Sequence, residues 1–195
     1  MDLGREGKRA VVLGGTRGIG RSIVETLAGE GAHVALCARD GAAVAEAVAG
    51  LDARGVRATG ASVDVTDRTA LERWIDAAGH ELGGIDLLIS NAGAMAQGNA
   101  VESWEQNFRL DVLGAVVAFD AARPFLEAAA REHDDASFVI IASISAAIAD
   151  SAGSYGALKA SLIHYAKGLA REHASKGIRA NVVSPGMVYF EGGVW

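Results

Sequence analysis

The stretch DSAGSYGALKAS, residues 150–161, sets a tyrosine and a lysine four positions apart. On a helix, Tyr155 and Lys159 stand one above the other on one face, close enough for an ammonium to act on a phenol. A free phenol ionises near pH ~10 and is a poor base at neutral pH, whereas an adjacent cation favours the phenolate. The pair therefore has the makings of an acid–base couple. The same spacing also suits an aromatic that only packs on an amphipathic helix, and Y-x-x-x-K arises by chance in many helices.

A second stretch, LGGTRGIGRSIVETL, places Gly14, Gly18 and Gly20 in a G-x-x-x-G-x-G pattern at the mouth of a helix. One glycine permits a tight turn after a strand, another lets backbone approach a pyrophosphate, and the last allows close helix packing. The helix N-terminus then offers free N–H groups to the anion. A plain Gly-rich β–α turn is the competing reading. At the end of the next apolar run, CARD puts Arg39 where a fold selective for NAD carries an acid for the ribose 2′-hydroxyl. With Arg17 in the glycine loop, two guanidiniums can converge on a 2′-phosphate, which favours NADP over NAD. In the alternative, Arg39 is a solvated loop residue and Asp40 is the ribose ligand.

These groups need elements to hold them. Short apolar runs recur at 9–14, 33–38, 57–63, 85–90, 137–143 and 178–184, and such Val-, Ile- and Leu-rich runs read as strands buried on both faces. Between the first two, Ile19, Ile23, Val24 and Leu27 keep a helical period, and Gly29 with Gly31 supplies a stop. Asp40 and Asp67 are placed to cap the next two helices. Longer helical regions run from Ser103 to Arg131, with a bend expected near Pro124, and from Gly153 to Ser175. Six strands alternating with helices predict an α/β fold, a doubly wound parallel sheet in a single domain.

Composition narrows the function classes. The 18 basic residues are outnumbered by 24 acids, for a net charge of −6, which argues against a nucleic-acid partner because phosphate binding needs clustered cations. The single cysteine, Cys37, lies in the apolar run HVALCA and reads as a reduced core residue. MDLGREGKRA has no apolar leader core, and no uncharged stretch of ~18 apolar residues occurs. The expectation is a cytoplasmic protein with no membrane partner.

In order along the chain, GGTRGIG, VDVTD around Asp64, NAG at 91–93, Ser143, YGALK, and NVVSPG ending at Gly186 resemble the short-chain dehydrogenase/reductase family. The likeness covers essentially all of residues 1–195. One such motif is weak, but six in order are specific. The resemblance implies a Rossmann-like fold and an NADP(H)-dependent oxidoreductase that moves a hydride between nicotinamide and a carbonyl or secondary alcohol. Tyr155 would be the general acid/base and Lys159 its electrostatic partner, also bonded to the nicotinamide ribose. Ser143 would donate to the substrate oxygen, with Ser145 as a second candidate. The implied cofactor residues are Gly14, Thr16, Arg17, Gly18, Ile19, Gly20, Arg39, Asp64, Val65, Asn91, Ala92, Gly93, Tyr155, Lys159, Pro185, Gly186 and Val188, and no metal is implied.

The chain departs from the family pattern at three places. Leu13 stands where the glycine loop usually opens with a threonine whose hydroxyl ties the turn. Asp111, in FRLDVLGA, stands where the family commonly has an asparagine that helps to hold a proton-relay water; Asp111 keeps the backbone carbonyl and is carried over as catalytic. Phe190 replaces a threonine that touches the carboxamide. The family's substrate loop and last strand are missing before Trp195, so the natural polypeptide is expected to continue. Val116, Val117, Phe119 and Phe125, with the Tyr155 helix, match the faces by which family members pair, predicting a homodimer or homotetramer. A non-catalytic NADP(H)-sensing protein and a structural scaffold are the alternatives to an enzyme.

Overall fold

In the computed structural model, which describes residues 3–190 except 53, 54, 95, 97, 150 and 151, the six apolar runs become strands. They are β1 (Arg9–Leu13), β2 (His33–Ala38), β3 (Ala58–Ser62), β4 (Leu87–Ser90), β5 (Ala136–Ile141) and β6 (Ile178–Val183). All neighbours pair in parallel, in the order β3-β2-β1-β4-β5-β6. The order reverses between β1 and β4. In open α/β sheets, such a reversal opens a crevice at the carboxyl ends of the strands.

Helices α1 (Gly18–Gly29), α2 (Gly41–Asp52), α3 (Arg68–Leu82), α4 (Val101–Asn107), α5 (Gly114–His133) and α6 (Ser154–His173) connect the strands. Because successive strand side chains point to opposite faces, β2 sends Val34 and Leu36 toward α1 and α2, and Ala35 and Cys37 into the core beneath α3 and α5. Central strands therefore need apolar residues at every position. Edge strands do not, and here the structure differs from a sheet buried on both faces throughout: β3 is only partly covered and β6 alternates covered with exposed residues. The Cys37 thiol is free, and burial raises its pKa to about 12, so it behaves as a small core residue.

Asp40 Oδ1 accepts from Ala42 and Ala43 N–H at 3.0 and 3.2 Å, and Asp67 Oδ1 from Ala70 N–H at 3.0 Å. Both expected caps are formed. The helical region after Ala100 is not one bent helix. α5 runs through Pro124, and the interruption lies upstream in a π turn, Phe108–Leu113, whose following Gly114 N–H reaches back to the Arg109 carbonyl. Such a turn inserts one residue and widens the helix locally. Phe119, expected to face a partner, is instead 1% exposed and packs on Phe138 with ring centroids 5.3 Å apart.

Two substitutions calibrate these contacts. Asp67→Ala removes a cap and is expected to lower stability by about 1 kcal/mol. Phe138→Ala opens a cavity in the core and should cost about 3–5 kcal/mol. Urea unfolding measures both, and an Asp67→Ala loss equal to that of Phe138→Ala would contradict the assignment of the first to a cap.

Candidate active site

The glycine loop is shaped by crowding. Gly14 has φ +75°, and a Cβ there would lie 2.9 Å from the Ala92 backbone. A Cβ on Gly20 would collide with the Gly14 carbonyl oxygen and the Asn91 amide. The turn is tied without the missing threonine hydroxyl: Gly14 and Gly15 N–H both donate to the Cys37 carbonyl, at 2.8 and 3.2 Å, and Asn91 Nδ2 donates to the Gly14 carbonyl at 2.8 Å. Leu13 is fully buried in the core beneath. α1 begins after Arg17 with no side chain capping its first turn, which leaves backbone donors facing the loop mouth.

A cleft of about 460 Å³ runs from this loop across the carboxyl ends of the strands. It brings together Gly14, Thr16, Arg17, Gly18, Ile19, Arg39, Asp64, Val65, Asn91, Ala92, Gly93, Tyr155 and Lys159. Gly20 lies under the loop, while Pro185, Gly186 and Val188 do not line the cleft. Pro185 instead accepts from Ile144 N–H at 2.9 Å and fastens the turn after β5. Asp64 Oδ1 accepts from the Thr66 N–H and hydroxyl at 2.9 and 2.8 Å. Those bonds, then the Arg39 charge, hold its carboxyl below the usual range against desolvation.

Phe190 reaches the same cleft, its ring so close to Gly18 that a Cβ on that glycine would lie 2.7 Å away. The sequence marks this residue only as a replaced threonine. Leu110, Ile141 and Ala142 complete the wall beside the Tyr155 end. Nothing in their local spacing distinguishes them from core residues.

The Tyr155 end of the cleft is built by α6. Gly156 lets the first turn of this helix press against the Ser145 carbonyl, where a Cβ would come within 2.6 Å. This close approach sets Tyr155 beside the Ser143 hydroxyl. Ser143 Oγ also accepts from Ser145 N–H at 3.2 Å, capping the short 3₁₀ turn Ile144–Ala146. Ser143, not Ser145, thus faces the tyrosine. One helical turn on, Lys159 is 5% exposed, donates from Nζ to the Ile141 carbonyl at 3.1 Å, and sits 5.8 Å from the Tyr155 ring centroid.

Asp111 closes the set from the π turn. It is 2% exposed, its Oδ1 accepts from Ala94 N–H at 2.9 Å, and the same oxygen lies 3.6 Å from Lys159 Nζ. Gly93 must be small here, since a Cβ would stand 3.0 Å from Asp111 Oδ1 and 3.3 Å from Lys159 Nζ. Burial lowers the Lys159 pKa against the pull of Asp111, and burial raises that of Asp111 against the pull of Lys159. Tyr155 is raised by burial, with the neighbouring Ser143 hydroxyl opposing and the Asp111 charge adding.

Asn107, unremarked in the sequence, is fully buried one turn before Asp111. Its Nδ2 donates to the Ala96 carbonyl at 3.0 Å and to Ser154 Oγ at 2.8 Å. It thereby pins the loop after β4 to the start of α6. Its four-residue spacing from Asp111 is the signal that could have revealed it. Among the described residues, no cluster of His, Cys, Asp or Glu is arranged to hold a metal, and no helix is long and apolar enough to cross a membrane.

This arrangement has counterparts in known proteins. Residues 8–191 match the family described as short chain dehydrogenase. The chain is 32% identical over 200 residues to the isoepoxydon dehydrogenase patN of Penicillium expansum, covering 100% of this chain and 76% of the relative. It is 33% identical over 187 residues to the 3-oxoacyl-acyl-carrier-protein reductase FabG of Escherichia coli, covering 94% and 74%. Among solved structures, a blue fluorescent protein from a metagenomic library in complex with NADPH superposes with a TM-score of 0.87 at 32% identity, covering 95% of this chain and 76% of that one. An NADH-dependent reductase complexed with NAD gives 0.87 at 28% identity, covering 94% and 80%. The match spans the glycine loop, the Tyr155 helix and the whole sheet, and the chain belongs to the short-chain dehydrogenase family.

Proposed function

We propose that the chain is an NADP(H)-dependent oxidoreductase interconverting a carbonyl and a secondary alcohol, with Tyr155 as general acid/base. The observation that carries this reading is that Tyr155 and Lys159 line the end of a cleft that begins at a glycine cradle, with Lys159 Nζ 5.8 Å from the Tyr155 ring centroid and the Ser143 hydroxyl beside the phenol. The cradle fits a dinucleotide: Gly14 and Gly20 leave space that any Cβ would fill, and the first turn of α1 has no side-chain cap. When bound there, the nicotinamide supplies or takes up the hydride.

The chain's own residues handle the proton and the orientation. Ser143 Oγ already accepts from Ser145 N–H, so its O–H is free to donate to a carbonyl oxygen and hold it beside Tyr155. Tyr155 gives its proton to that oxygen in reduction and takes one back in oxidation. Lys159, fastened to the Ile141 carbonyl, keeps its ammonium near the phenol. Gly93 gives Lys159 and Asp111 the room they share.

NADP is preferred because Arg17 and Arg39 both line the cleft, while the Asp40 carboxylate is engaged by two N–H groups at the start of α2. Structural relatives carry either NADPH or NAD, so these side chains carry the preference. The carbonyl and alcohol class agrees with the relatives named as a dehydrogenase and a 3-oxoacyl reductase.

Tyr155→Phe is expected to lower turnover by about 10²–10⁴-fold while NADPH binding, followed by fluorescence, stays intact; retained turnover would remove the tyrosine from the chemistry. Arg39→Ala should weaken NADPH binding and leave NADH nearly unchanged, because only NADPH carries the 2′-phosphate. Equal losses for the two cofactors in parallel titrations would show that Arg39 does not read that group.

A further inference from the structure

Asp111 is a carboxylate in a place where a charge is costly. Its side chain is fully buried, Oδ1 takes the Ala94 N–H, and Oδ2 has no hydrogen-bond donor among the described residues. An isolated buried carboxylate would be strongly disfavoured. What offsets the cost is Lys159 Nζ, 3.6 Å away and itself almost wholly buried. Removing one member of such a pair leaves the other uncompensated.

We infer that Asp111 is a positioning residue that makes a net-neutral pair with Lys159, so that Tyr155 keeps its proton through neutral pH and serves as the donor in carbonyl reduction. This inference rests on the proposed function for its catalytic meaning. A lone buried ammonium beside Tyr155 would draw the phenol toward phenolate; a carboxylate on the other side of that ammonium cancels the pull. The cancellation holds wherever the shared proton sits, because a charged pair and a neutral pair carry the same total charge.

The surrounding groups leave this pair in control. From α6 come Tyr155 and Lys159. From the π turn comes Asp111. The end of β5 contributes the Ser143 hydroxyl and the Ile141 carbonyl, and the loop after β4 contributes the Ala94 N–H. Arg17, Arg39, Asp40 and Asp64 line the same cleft, but the charge acting on both Tyr155 and Lys159 is that of Asp111. In reduction, Tyr155 gives its proton to the carbonyl oxygen as the carbonyl carbon takes the hydride that bound NADPH would supply, and solvent returns a proton to the phenolate. In oxidation the phenolate must exist first, so that direction rises only at higher pH.

Asp111→Asn tests this without emptying the site, since asparagine has the same shape and keeps an oxygen for Ala94 N–H. Phenolate formation is read by ultraviolet absorbance, as the difference between each protein and its Tyr155→Phe counterpart. The Tyr155 midpoint should fall by about one pH unit in Asp111→Asn. The pH profile of alcohol oxidation should move down by the same amount while NADPH affinity is kept. An unchanged or raised Tyr155 midpoint overturns the inference. If a panel of carbonyls and alcohols gives no turnover although NADPH binds, the proposed function falls, and the absorbance titration still decides the role of Asp111.

Discussion

The contact between the ends of β1 and β4 governs the site. Here the strand order reverses, Gly14 and Gly20 press against Asn91 and Ala92, and the Asn91 amide bonds the Gly14 carbonyl at 2.8 Å. No side chain larger than hydrogen fits at either glycine. From this contact the cleft opens toward α1 on one side and α6 on the other. The bonds from Gly14 and Gly15 to the Cys37 carbonyl carry the same restraint across to β2, where Arg39 and Asp40 begin. A turn held by three strands needs no hydroxyl at position 13, and Leu13 serves the core instead.

The second constraint is dryness at the other end. Lys159, Asp111, Asn107 and Ser143 are all buried polar residues, and each is held by bonds to backbone or to a neighbouring polar side chain. Asn107 ends α4 and Asp111 lies in the π turn that follows, so this segment couples the loop after β4 to Ser154 and Lys159 on α6. Buried polar networks of this kind hold geometry firmly when their members are satisfied. The unmatched oxygen of Asp111 is the exception, and exceptions of that sort concentrate where electrostatics serve chemistry.

Much of this was legible in the chain. The apolar runs mark every strand to within about two residues; for the central strands this is because parallel strands covered on both sides show as continuous apolar residues. Asp40 and Asp67 announce their caps, and the glycine spacing announces the cradle. Ser143 falls just past β5 and not within it, because the chain there leaves the strand for the 3₁₀ turn Ile144–Ala146. The π turn was not legible: it answers to contacts with Ala94 and Lys159, far along the sequence, and a periodicity taken over a long window smooths over one inserted residue. The contacts of Asn107 with Ala96 and Ser154, and of Phe190 with Gly18, were not legible either, since those partners are set by tertiary packing.

Transfer of a hydride and a proton to a carbonyl is tested most directly by isotope transfer. Deuterated NADPH is incubated with the protein and a panel of ketones and aldehydes, and the products are examined by mass spectrometry. Deuterium is expected on the carbinol carbon of at least one product, with one NADPH consumed for each alcohol formed. NADPH that binds to the protein yet is never consumed, with no label in any product, would contradict it and leave a protein that only binds the nucleotide.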